Sequence, residues 1–273
     1  MVMDIVHIHY VRKCMQIMNK LEKLKNIIDK SENIVFFDGA GTSTLSGIKD
    51  FRGKNGIYKM NLDISPEYLL SVNCLYNNPF LFFNFYKNNL NCLSNVPNII
   101  NKYLKELESI GKLKCVITQN IDGLHKKAGI NNVLEIHGSI YKNYCMKCGK
   151  NYDAEYVFNS KDIPICTCNG IIRPDVTLYG ENLNDDFYSA IEFIKKSDTL
   201  IIAGSSLTVF PAAGLVDEFI GKNLIIINDT KTPYDKCASL VINDDLEKVF
   251  KYLKGWFLWI LKILLLEQVV MIK

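Results

Sequence analysis

The sequence predicts an α/β fold, a parallel β-sheet with helices on both faces, interrupted by two inserts of different character. Three observations carry that prediction. Five short apolar runs, rich in β-branched residues, are separated by stretches with helical spacing, as in a sheet buried on both sides. Each run ends in glycine or polar residues, where open α/β sheets gather ligands. Between the runs the composition shifts twice, first to an Asn- and aromatic-rich stretch and then to a cysteine cluster.

In chain order, Lys20 to Lys30 places Leu21, Leu24, Ile27 and Ile28 at helical spacing, and Ser31-Glu32-Asn33 ends that helix. Ile34 to Phe37 is the first strand, followed by a glycine turn that is expected to open a second helix. Tyr58 to Leu93, with Pro66 and Pro79 near helix starts, reads as a helical insert. Its aromatic run Phe80 to Tyr86 serves packing or walls a channel for an aliphatic chain. Pro97 to Ile110 is a helix closed by Gly111. The remaining strands are Leu113 to Thr118, Val133 to Ile136, Asp198 to Ala203 and Leu224 to Ile227, with a helix over Val209 to Gly221. This divides the chain into a sheet domain (19–57, 96–138 and 173–254), a helical insert (58–95) and a cysteine module (139–172). Residues 1–18 and 255–273 are extensions without assignment.

The chain has 273 residues, 48% hydrophobic and 22% charged, enough for one sizeable core with inserts. A net charge of +3 is too small to argue for nucleic acid. Nine cysteines, an odd number, in a chain whose start lacks a signal peptide's basic and apolar pattern predict a cytoplasmic protein that uses cysteine for metal. Trp256 to Ile272 is strongly apolar but broken by Lys262 and Glu267, a poor membrane span. A docked helix, an interfacial membrane contact and an anomalous terminus stay open for it.

The chemistry gathers at the strand ends. Gly39 and Gly41 after the first strand start a phosphate-binding turn, but the third glycine is Gly47, so the dehydrogenase spacing is absent. Asp50-Phe51-Arg52-Gly53 then supplies an acid, a ring and a fixed cation, a set suited to a nucleotide. Gln119-Asn120-Ile121-Asp122, His137-Gly138, Gly204-Ser205-Ser206 and Asn228-Asp229 end the later strands. Cys145-x-x-Cys148 and Cys166-x-Cys168 form two close pairs that fit a tetrahedral Zn²⁺. Four thiolates leave no open position, so the metal is expected to be structural. Such binding is worth about 10–16 kcal/mol in zinc-finger peptides, enough to hold a small module together.

Taken together, six segments resemble the sirtuins, NAD-dependent protein lysine deacylases of the short bacterial type. They are Gly39 to Gly53, Thr118 to His125, Leu134 to Ser139, the four cysteines, Arg173 to Glu181 and Gly204 to Gly214, in the family's order within about 19–253. The resemblance implies a Rossmann-like sheet with a zinc-ribbon module and a helical insert. It implies NAD and structural Zn²⁺ as cofactors and acylated protein lysines as substrate, with the acyl group passing to ADP-ribose and nicotinamide released. His137 matches the family's general base, a role suited to an imidazole whose ordinary pKa lies near working pH. Asn120 and Asp122 would position the ribose and the nicotinamide amide. Gly39, Ala40, Gly41, Thr44, Asp50, Phe51, Arg52, Gln119 and Ile121 would line the cofactor pocket, and Gly204, Ser205, Ser206, Asn228 and Asp245 the adenosine half. Val176, Leu178, Tyr179, Gly180 and Glu181 lie in the segment that would pair with a substrate peptide as an added strand. His125 reads as structural. Mono-ADP-ribosyl transfer, or an NAD-binding or zinc-ribbon interaction module of weak activity, are the alternatives.

Four positions depart from the family pattern. Asp38 stands where Thr is customary, Thr42 for Ile, Lys49 for Pro and Asn101 for His. A carboxylate at 38 beside a pyrophosphate is unfavourable unless protonated or paired, so Asp38 is expected to weaken NAD binding. In family members that prefer succinyl or malonyl lysine, a Tyr-x-x-Arg pair holds the acyl carboxylate. Here Tyr86 is followed by Asn89 in place of the Arg, which predicts acetyl-lysine as the favoured substrate.

Overall fold

The computed structural model describes residues 2–53 and 56–255, so the apolar stretch 256–272 lies outside the described residues. The first helix, α1, runs Val2–Lys30 without a break and takes in the extension that the sequence left unassigned. No Gly or Pro occurs in those residues to stop it. It ends where the Ser31 hydroxyl turns back to the Ile27 carbonyl at 2.7 Å.

Strand β1 (Ile34–Asp38) is buried at all five positions, as the centre of a sheet covered on both faces requires. The helix expected after its glycine turn does not form. Ala40–Thr42 and Thr44–Ser46 make two short 3₁₀ turns instead. Thr44 donates its hydroxyl to the Gly41 carbonyl, and Gly47 takes a left-handed conformation that closes the second turn. The insert is helical as expected, with α2 (Pro66–Leu69), α3 (Val72–Asn77) and α4 (Pro79–Leu90), each capped at its N-terminus by a Ser or Asn side chain.

Helix α5 (Ile99–Ser109) starts with a capping box in which Asn98 and Asn101 satisfy each other's backbone N–H groups. Then follow β2 (Leu113–Thr118), α6 (Leu124–Lys127), β3 (Val133–Glu135), β4 (Gly138–Cys145), β5 (Asn151–Tyr152), α7 (Ala154–Asn159), β6 (Ile172–Val176), α8 (Asp186–Lys196), β7 (Thr199–Ala203), β8 (Asn223–Ile227), β9 (Leu240–Ile242) and α9 (Leu246–Leu253). The helix expected over Val209 to Gly221 is a 3₁₀ stretch at Ala212–Glu218. Strand β9 was not anticipated, because three residues are too few to show a period.

The main sheet has the order β3-β2-β1-β7-β8-β9 with every pair parallel. From β1 the chain first builds outward through β2 and β3, then returns to the other side of β1 with β7. The topological switch point therefore lies between β1 and β7, where sheets of this kind bind ligands. Phe36 faces α1, α5 and α9 in one core; Val35 and Phe37 face α8 and the 3₁₀ stretch in another.

A second, antiparallel sheet of order β5-β4-β6 carries the cysteines and extends over 138–176, so residues 173–176, grouped from sequence with the main domain, pair here. It shares a third core with the insert. Tyr86 is fully buried and stacked between Phe82, at 5.7 Å, and Phe158 of the small module, at 5.3 Å. Among the described residues no helix is long and apolar enough to cross a membrane.

Candidate active site

The C-terminal ends of β1, β2 and β7 come together through their loops. Gly41 donates its N–H to the Gly204 carbonyl at 2.9 Å, and a Cβ on Gly41 would stand 2.7 Å from the Gly204 Cα. These glycines thus let two strand-end loops touch, which places the Gly39–Gly41 turn against Gly204-Ser205. Gln119 bridges the same gap, donating its side-chain amide to the Ser205 hydroxyl at 2.9 Å.

At the floor lies a continuous buried polar network. Asn120 aims its amide nitrogen at the Gly39 carbonyl (3.0 Å), the Ser43 hydroxyl (3.1 Å) and the Thr42 hydroxyl (3.2 Å). Ser43 donates to one oxygen of Asp122 at 2.5 Å, and the Leu124 N–H donates to the other at 2.9 Å. Burial pushes the Asp122 carboxyl above the usual range, these two donors pull it back, and the net direction is up. Thr42 donates to Asp38 at 2.5 Å, and His125 Nε2 lies 2.9 Å from the same Asp38 oxygen.

Asp38 is fully buried, and the pairing that a carboxylate needs at this place is supplied. Its other oxygen, Oδ1, has no hydrogen-bond partner among the described residues. Burial opposes a charge on His125, and the neighbouring Asp38 outweighs it in the upward direction. Asn101 sets the tautomer. Its Oδ1 accepts the Asn98 N–H at 2.9 Å, which turns its Nδ2 toward His125 Nδ1 at 3.2 Å. Nδ1 is then an acceptor and the ring proton sits on Nε2, facing Asp38.

His137 follows β3. Its Nδ1 donates to the Gln119 carbonyl at 2.8 Å, so Nε2 is the unprotonated nitrogen of the neutral ring. Burial lowers its pKa, the Gln119 carbonyl pulls the other way, and burial wins. Gly138 begins β4 with φ +76, and a Cβ there would meet the Asp175 carbonyl at 2.1 Å. The small sheet therefore starts immediately beside His137, whose own carbonyl accepts the Thr177 N–H at 2.9 Å.

The other residues singled out from sequence are placed less uniformly. Asp50 accepts the Gly53 N–H at 3.1 Å and shapes its own turn. Phe51 packs on Tyr58 with ring centroids 5.9 Å apart, and the Arg52 guanidinium lies 5.0 Å over the same ring. Ile121 is part of the insert core. Among the described residues Thr44 bonds only to its own turn, Ala40 lies in the first 3₁₀ turn, and Ser206 pairs with Thr208 at 2.8 Å. Asn228 donates to the Thr230 carbonyl at 2.9 Å at the end of β8, while Asp245 caps α9 by accepting the Lys248 N–H.

In the segment expected to pair with peptide, Val176 and Leu178 are buried and Gly180 has φ +93. Tyr179 pairs through both its backbone groups with Leu70 and Val72 of the insert. Its phenol bonds to that of Tyr58. Glu181 is held in a two-pronged pair with Arg173, at 2.6 and 2.9 Å. The phenolic oxygen of Tyr86 has no partner among the described residues. Ser43, Tyr58 and Arg173 were missed from sequence. Ser43 sits inside the Gly-Ala-Gly-x-Ser motif and Arg173 opens the Arg173 to Glu181 segment, which were the available signals; Tyr58 is defined by contacts across the fold.

The sulfurs of Cys145, Cys148, Cys166 and Cys168 all lie within 4.8 Å of one another, with Cys145 to Cys168 at 3.5 Å and Cys148 to Cys166 at 3.6 Å. Tetrahedral Zn²⁺ with bonds of about 2.3 Å holds its sulfurs about 3.8 Å apart. The cluster fits a structural zinc ion.

Known proteins resemble this arrangement over most of the chain. Residues 39–211 match the Sir2 family. An NAD-dependent protein deacetylase of Clostridium perfringens is 51% identical over 236 residues, 85% of this chain and 97% of that protein. One of Fusobacterium nucleatum is 48% identical over 242 residues, 86% and 93% of the two chains. A solved Sir2 complex with p53 peptide and NAD⁺ superposes with a TM-score of 0.75 at 36% identity, covering 86% of this chain and 96% of that one. Another, holding a deacetylated p53 peptide and 3'-O-acetyl ADP ribose, reaches a TM-score of 0.79 at 37% identity with the same coverage. With these matches spanning the glycine turn, the buried Asn–Ser–Asp floor, His137 and the four-cysteine module, the chain belongs to the Sir2 family of NAD-dependent protein deacetylases.

Proposed function

We propose that His137 is the general base of this NAD-dependent protein deacetylase, with Asn120 and Asp122 as the polar groups that hold the reacting end of the cofactor. NAD, when bound, supplies the electrophilic ribose carbon and the nicotinamide leaving group. The observation that carries the assignment is the His137–Gln119 hydrogen bond. It fixes the proton on Nδ1 and leaves Nε2 to take a proton from a ribose hydroxyl. A depressed pKa keeps that ring neutral at working pH.

Asn120 and Asp122 act through orientation. The Ser43 hydroxyl ties them together, and the Asp122 oxygens are each given one donor. Gly39, Gly41, Gly204, Ser205 and Gln119 would receive the phosphates at the switch point, with Ala40, Thr44, Asp50, Phe51, Arg52 and Ile121 around the nicotinamide half. Ser206, Asn228 and Asp245, farther along the strand ends, would serve the adenosine half; Asp245 would do so while capping α9. The acetylated protein segment would lie against 176–181, in reach of His137 through Thr177. An acetylated peptide incubated with NAD and followed by mass spectrometry tests this. Acetyl-ADP-ribose is the expected product, and its persistence in full after His137→Ala would reject the assignment.

A further inference from the structure

Three of the four positions that depart from the family pattern meet in one place. Asp38, Thr42 and Asn101 are each buried, and each is hydrogen-bonded into the network beneath the glycine turn, with His125 joining Asn101 to Asp38. The Asn98 N–H fixes the donors of that network from one end. Asn101 is oriented by the Asn98 N–H, so His125 donates from Nε2 to Asp38. The single Thr42 proton has two acceptors within reach, the Asp38 oxygen at 2.5 Å and the Gly39 carbonyl at 3.0 Å. The shorter bond to a carboxylate takes it.

Two consequences follow for Asn120. The Gly39 carbonyl is left to the Asn120 amide, and the Thr42 oxygen, having given its proton away, becomes another acceptor for that amide. At the far side, Ser43 gives its proton to Asp122 and likewise turns a lone pair to Asn120. Two carboxylates thus draw off both hydroxyl protons, and every neighbour of the Asn120 nitrogen is an acceptor. Its Oδ1 makes no hydrogen bond to a described residue and is directed away from this acceptor set.

We propose that Asp38 is a positioning residue for NAD: through the Thr42 hydroxyl it locks the Asn120 amide so that its carbonyl oxygen is presented to the cofactor's ribose. This rests on the placement of Asn120 in the NAD site. Asp38 then supports cofactor binding, the opposite of the weakening that its charge alone predicts, and Thr42 is the link.

The test is steady-state kinetics with varied NAD on an acetylated peptide, with thermal unfolding of each variant as a check on folding. Thr42→Val keeps the shape and removes the hydroxyl; it is expected to lower kcat/KM for NAD about tenfold, while Thr42→Ser, which restores the hydroxyl, stays within about twofold of the parent. In an Asn120→Ala background, Thr42→Val is expected to cost less than about twofold further, because its effect passes through that amide. Full activity in folded Thr42→Val, or the same tenfold loss with and without Asn120, would overturn the proposal. Undiminished activity of Asn120→Ala would overturn it differently, by removing Asn120 from the cofactor site. A merely structural role for Thr42 would lower the melting temperature without this dependence on Asn120.

Discussion

His137 donates its Nδ1 proton to the carbonyl of Gln119 at 2.8 Å, and Gln119 in turn reaches Ser205 with its side chain. One residue at the end of β2 thereby sets the tautomer of the proposed base and ties together the two loops of the switch point. Replacing His137 by Ala is expected to reduce deacetylation by about 10²–10⁴-fold, the usual contribution of a positioned base. The melting temperature should hardly move, since the ring is only partly buried and makes one hydrogen bond. Loss of folding in this variant would contradict the placement.

The same histidine sets a pH dependence. Burial holds its pKa below the ordinary value of about 6.5, so the neutral, active form persists to lower pH than for a free histidine. Activity should therefore fall on the acid side only as the pH passes below about 6.5. A pH profile of kcat/KM whose acid limb lies above that value would assign the limb to another group or the base to another residue.

Metal removal should unfold the small sheet. One Zn²⁺ per chain is expected by elemental analysis, lost in Cys166→Ser. With roughly 2–4 °C of melting temperature per kcal/mol in a domain of this size, chelation should lower the transition by at least about 10 °C. A folded, metal-free chain with unchanged melting would refute the zinc assignment.

Arg173 and Glu181 form the clamp behind the segment proposed to receive the peptide. The Arg173 side chain is 8% exposed and that of Glu181 24%, so removing Arg173 leaves a partly buried carboxylate short of donors, a loss of about 1–3 kcal/mol. Arg173→Met is expected to show this loss in denaturant melts and to raise KM for the peptide. Glu181 has its carboxyl pKa pulled below the usual value by Arg173 and the Leu178 N–H, against burial. Its folded pKa is thus the lower one, and the stability it adds is present above its unfolded value of about 4.3 and disappears as the pH falls through the folded value. Melts of Glu181→Gln should converge with the parent in acid.

The acyl preference follows from α4. Lys87 is the sole cation on that helix, and its ammonium is bound to the Ser160 carbonyl at 2.7 Å and hydroxyl at 2.9 Å. The Asn89 amide is used on the Phe85 carbonyl at 2.9 Å, and Tyr86 is enclosed by aromatic rings. Helix α4 therefore has no free cation to offer a dicarboxylic acyl chain. Acetyl-lysine should be turned over with at least about tenfold higher kcat/KM than succinyl-lysine on the same peptide. Equal rates would mean that another element supplies the missing charge.

The amino-acid sequence by itself determined the five main strands, the helical insert, the cysteine set and the residues at each strand end, because those follow from local pattern. Ile34 to Phe37 is short, apolar, and β-branched and aromatic enough for a buried strand, and two close cysteine pairs carry the ligand set of one ion. Secondary structure driven by side-chain competition was less legible: the Thr44 hydroxyl bonds back to the Gly41 carbonyl, and 3₁₀ turns form where a helix was expected. The tertiary structure alone decided what the unusual residues do. Asp38 read in isolation is a charge beside an expected phosphate turn; folded, it meets Thr42 four residues on and His125 from α6. Such pairings join residues up to 87 positions apart, and their energy depends on burial and donor direction, quantities that a one-dimensional pattern does not contain.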